Sequence, residues 1–163
     1  MTPVQKIRRP APRARELREL RPHDRLHLSQ DAMALSLRRL KSILRSADPA
    51  DRPLKHLLNS MVTEEESIAE KCRRLDRAVP SEPDVPKLQS ILREFFPSAS
   101  ATLGEGRLHR EAALYFAEML AGEQAAFFEA VAGAVDSPEA RAAFASAHEA
   151  SVRRMEHLRS VIL

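Results

Sequence analysis

The chain has 163 residues, 44% of them apolar and 30% charged, a balance that fills one core and excludes collagen-like, mucin-like and wholly disordered classes. A single cysteine, Cys72, excludes a disulfide framework and a multi-cysteine zinc or iron–sulfur site. No apolar run approaches the roughly 18 residues of a membrane-spanning helix, and the arginine-rich start is not followed by the apolar stretch of a signal peptide. A cytoplasmic protein that engages no membrane is expected.

Charge is unevenly spread. Residues 1–25 carry eight Lys or Arg against three Asp or Glu, a charge of +5, which leaves −2 for residues 26–163. Pro3, Pro10, Pro12 and Pro22 interrupt this basic stretch. It reads as a disordered arm, residues 1–25, ahead of one helical domain, residues 26–163. By charge alone the arm suits an acidic protein partner. It lacks the interleaved aromatics of a single-strand binder, and Glu16 and Glu19 dilute it, so nucleic acid is not expected.

From Leu26 the apolar spacing turns helical. Leu26, Gln30, Met33, Leu37, Leu40 and Leu44 step by four and three along one seam to about Arg45. Asp48-Pro49-Ala50-Asp51 reads as a turn and restart, with Asp48 as cap and Pro49 at the first helical position. The next helix is expected from about Pro49 to Ala78, on a seam of Leu54, Leu58, Met61, Glu65, Ile68, Cys72 and Leu75. Pro80, Pro83 and Pro86 stop it, and a crossover from Val79 to Gly106 follows, with a short helix over Lys87 to Phe95. A third long helix is expected from Arg107 to Val135. Its seam runs through Ala112, Phe116, Leu120, Glu123, Phe127, Ala130 and Ala134, with a competing line through Gln124 and Val131. Asp136-Ser137-Pro138-Glu139 repeats the corner chemistry. The last helix carries Phe144, His148, Ser151, Met155, Leu158 and Ile162 to the end. The fold class is all-α: two antiparallel hairpins joined by one long crossover, which is the ferritin-like way of building a four-helix bundle.

The second hairpin carries a family resemblance. Phe127-Phe128, the small residues Ala130 to Ala134, the corner Asp136-Ser137-Pro138-Glu139 and Phe144 resemble the matching segment of rubrerythrin-type ferritin-like proteins, and Asp51-Arg52-Pro53-Leu54 resembles the first corner. The resemblance covers roughly residues 30–163. It implies a carboxylate-and-histidine iron site, in which two helices each give a Glu and two give a Glu-x-x-His pair. Counting from Leu58 puts the first Glu on Glu65 and its His on Ile68. Counting from Phe144 puts the second pair on Ser151 and Arg154. The third helix offers Glu118 or Glu123, and the first only Asp31, off its seam. No Glu-x-x-His occurs in the chain, so an intact di-iron oxidase is not expected.

Three residues remain as candidate metal ligands, with iron the implied ion. Glu65 is the one polar residue on its seam, and a buried carboxylate needs a metal, a cation or a proton. Glu123 lies on the third seam, and His148 one turn before the expected ligand position. Met33, Met61, Met119 and Met155 read as core filler, and Cys72 as a buried inert thiol. The expected function is that of a non-catalytic binding or structural protein, pairing with a second copy along a helix face. The alternative is a non-haem iron-binding protein with a partial or inter-chain site.

Overall fold

The computed structural model describes residues 14–75, 85–100, 103 and 106–162. Six helices make up most of them: α1 (Ala14–Glu19), α2 (Pro22–Ser46), α3 (Arg52–Arg74), α4 (Val85–Phe95), α5 (Arg110–Ala132) and α6 (Pro138–Ile162). Among the described residues there is no strand, only an isolated bridge between Ala47 and Leu108, and no helix is long and apolar enough to cross a membrane.

Local chemistry sets the helix boundaries. The Asp51 side chain caps α3 by accepting from the Leu54 amide at 3.1 Å, with Pro53 in the first turn. This corrects the expected start at Pro49: Asp48 accepts instead from the Ala50 amide at 2.9 Å, holding the turn that precedes the helix. The corner is locked from the other side by Lys55, whose ammonium donates to the Leu44 carbonyl near the end of α2 at 2.6 Å. Ser137 caps α6, its hydroxyl accepting from the Ala140 amide at 3.3 Å.

The four long helices pack as two antiparallel pairs, α2 with α3 and α5 with α6. α2 also lies beside α5, and α3 beside α6. The start of α5 sits at the α2–α3 corner: the Leu108 amide donates to the Ser46 carbonyl at 2.7 Å, and Arg110 bonds both carboxylate oxygens of Asp51 at 2.9 Å. The end of α5 lies at the opposite end, where Arg25 meets Asp136 at 3.7 Å. The chain between α3 and α5 therefore travels the length of a 23-residue helix, about 34 Å. On the way α4 lays Leu88, Ile91, Leu92 and Phe95 onto α2 and α5, and Phe96, just after it, is buried as well. Phe95 and Phe96 meet Phe127 at 5.4 and 5.5 Å, and Phe128 stacks on Phe144, so one aromatic cluster ties the crossover to the second hairpin.

Two expectations change here. On α2 the expected seam residues Met33 and Leu40 are buried, but so are Ser29, Ala32, Ser36 and Ile43 beside them, while Leu26, Gln30, Leu37 and Leu44 are half-buried at the edge. α2 touches α3, α4 and α5, so its contact face is wider than a single seam. The expected arm changes too. Residues 1–13 lie outside the described residues, as do residues 76–84, which hold the expected end of the second long helix at Ala78 and the start of the crossover. Residues 14–25 hold α1 and the first turn of α2, with Leu17, Leu20, Asp24 and Arg25 buried. Arg25, itself buried, donates to the carbonyls of Leu17 and Arg18 at 2.9 and 2.8 Å, which ties off the end of α1. Pro22 does not break a helix but opens one, in the first turn, where its missing N–H is not needed.

Candidate functional site: an ion-paired cluster inside the bundle

The α3 seam delivers Glu65 to the bundle interior with no exposed surface. The residue that meets it comes from α6. Arg154 Nη1 donates to Glu65 Oε1 at 2.7 Å, and Arg154 Nη2 donates to Glu64 Oε1 at 2.6 Å. Gln124 of α5 completes the cluster: its amide Nε2 donates to the same Glu65 oxygen at 2.5 Å, and its Oε1 accepts from Arg154 at 3.2 Å. Three helices are thus cross-linked at one level. One guanidinium spans a buried carboxylate and a half-exposed one. The competing α5 line through Gln124 and Val131 is the one that faces inward, both residues being buried, while Glu123 is turned aside.

Burial raises the Glu65 pKa above the ordinary carboxylate range. The Arg154 charge and the hydrogen bonds from Gln124 and Arg154 oppose that rise, and Glu64 adds to it. Glu65 Oε2 makes no hydrogen bond, which leaves the ionised form under-solvated.

Glu123 takes a different partner. The Ser98 amide donates to its Oε2 at 3.0 Å, and the Ser98 hydroxyl donates to its Oε1. Ser98 belongs to a 3₁₀ turn, Pro97–Ser100, that follows α4, so Glu123 staples the crossover to α5. Burial raises the Glu123 pKa against the pull of the Ser98 bonds and the nearby Arg39 guanidinium. Arg39 is buried, packed 5.5 Å from the centre of the Phe116 ring. His148 binds the Ala125 carbonyl through Nδ1 at 2.8 Å, which places the proton on Nδ1 and joins α6 to α5. Cys72 is buried, its thiol pushed up to about 11, far from the thiolate needed for reaction.

Glu65, Glu123 and His148 are thus held by three separate sets of partners. Among the described residues no three His, Cys, Asp or Glu side chains gather where a metal ion would fit. The donor set does not suit a di-iron centre. A guanidinium has no lone pair to offer and brings a fixed positive charge to the carboxylate it binds. The sequence alone raises Arg154 at the place of an expected histidine and as a partner for Glu65. It gives no sign of buried Arg25 or Arg39, because an arginine on a helix reads as a solvated face until its neighbours are known. Comparison with protein-family models, with curated proteins and with solved structures finds no match for this chain.

Proposed function

We propose that this protein is a ferritin-like bundle that works by binding and by shape, not by catalysis, with an arginine ion pair in the place of a metal site. The observation that carries this reading is the contact of Arg154 Nη1 with Glu65 Oε1 at 2.7 Å. Glu65 is the residue that the resemblance makes a ligand, and Arg154 stands where it makes a histidine. Two antiparallel hairpins with a bundle-length connection support the ferritin-like assignment. A cation already bonded to the carboxylate satisfies its charge and repels a second cation, so the cluster serves to hold α3, α5 and α6 in register.

Metal analysis of protein purified from iron-supplemented cells tests the reading. Iron far below one equivalent is expected, unchanged by Glu65→Gln. Stoichiometric iron that disappears in Glu65→Gln would overturn it in favour of the non-haem iron-binding alternative.

A further inference from the structure

α4 is an addition that two plain hairpins do not require, and where it crosses α2 it leaves a groove of about 450 Å³. That is the size of small-molecule sites, which run from about 300 to 1,000 Å³. The floor is apolar: Leu92 and Phe96 of the crossover side are buried in it, with Leu35 of α2 and Ala99 of the 3₁₀ turn beside them. The rim is cationic. Arg38 of α2 and Arg93 of α4 both line the groove and are exposed, and among the described residues neither guanidinium is paired with a carboxylate. Lys41, one turn beyond Arg38, is exposed on α2 as well. The acid on the lining, Asp31, lies two helical turns from Arg38, about 10 Å, and faces His27 at 3.5 Å.

We infer that this groove binds a medium-chain fatty carboxylate, with its headgroup held by Arg38 and Arg93 and its chain laid over Leu35, Leu92 and Phe96. The charge pattern selects the occupant. Two unpaired guanidinium groups present planar forks that match a carboxylate. An aliphatic chain takes the apolar floor out of water without leaving polar groups unpaired. Asp31, two helical turns from Arg38 on the same lining, repels a second acidic group and so favours a monoanion with one polar end. The groove is apart from the Glu65 cluster, so this site stands or falls independently of the metal question.

Titration of the full chain with octanoate and decanoate tests the inference, followed by calorimetry and by amide NMR shifts. Saturable one-to-one binding is expected, tighter for decanoate, with shifts concentrated in residues 31–38 and 89–99. Arg38→Ala and Arg93→Ala should each weaken it about tenfold, the loss of one charge-assisted contact. Both side chains are exposed, so melting curves of the variants should match the parent, which separates lost binding from lost folding. Gln89→Trp, on the exposed wall, should block the groove. Three results would overturn the proposal: no saturable binding of either acid, octanol binding as tightly as octanoate, or acetate competing with octanoate on equal terms. Shifts confined to another part of the bundle would do the same.

Discussion

Arg154 carries the interior polar cluster, because it is the only charge that offsets Glu65 among the bonds the carboxylate makes. Removing it by Arg154→Ala leaves a buried carboxylate with one amide donor, and should cost about 3–5 kcal/mol in chemical denaturation. Removing the whole cluster is different. Glu65→Leu, Gln124→Leu and Arg154→Met together trade three mutually bonded polar groups for apolar ones, and this combined variant should be as stable as the parent or more so. All three must change, since any one left alone becomes an orphan. The pH dependence of the parent has a definite sign. Glu65 is raised in the folded chain, so the unfolded chain gives up this proton first. The stability it contributes is full below the ordinary carboxylate value, about 4.3, and is lost as pH rises through the raised value. Glu65→Gln does not titrate, so its stability relative to the parent should improve with rising pH over that interval. A difference that is flat with pH would show that Arg154 cancels the burial.

At the scale of elements, the crossover is held by the aromatic cluster and by Glu123. Ser98→Ala removes one of two hydrogen bonds to that carboxylate and should cost about 1 kcal/mol. Native-state hydrogen exchange gives the sharper reading: protection should fall in Phe95–Ala99 while α3 is unaffected. The long helices are legible in the sequence because apolar residues recur at helical spacing between proline-bearing corners. The α3 seam is followed closely, with Leu54, Leu58, Met61, Glu65 and Cys72 all buried. The inward line of α5 is not legible at the same level. Its alanines, Gly122 and phenylalanines present little contrast between faces, and α5 buries residues from Ala113 to Val131 against α1, α2, α4 and α6. Only that packing decides between Gln124 and Glu123. The short α1 is hidden for another reason: prolines and arginines mark residues 1–25 as an arm, and what ties α1 to α2 is a guanidinium reaching back to two carbonyls.

For the whole molecule, the consequence is that residues 14–25 belong to the fold. Leu17, with no exposed surface, is the test. Leu17→Ala should cost about 2–4 kcal/mol and lower the melting temperature by about 5–10 °C. A melting temperature within a degree of the parent would return this segment to the role of a loose arm.

The path of the chain also fixes how the bundle bears load. The later part of α1 and the start of α2 lie at the end where Arg25 meets Asp136. α6 runs away from that end, antiparallel to α5, and Arg159 reaches Glu118 in the first half of α5. The described segment therefore enters at one end of the bundle and leaves at the other. Tension between the two would pull α2 and α6 lengthwise past their neighbours, straining many side-chain contacts at once instead of peeling a hairpin from its tip. Under such a pull the bundle would act as a short strut loaded in shear, with Arg154 as its central rivet.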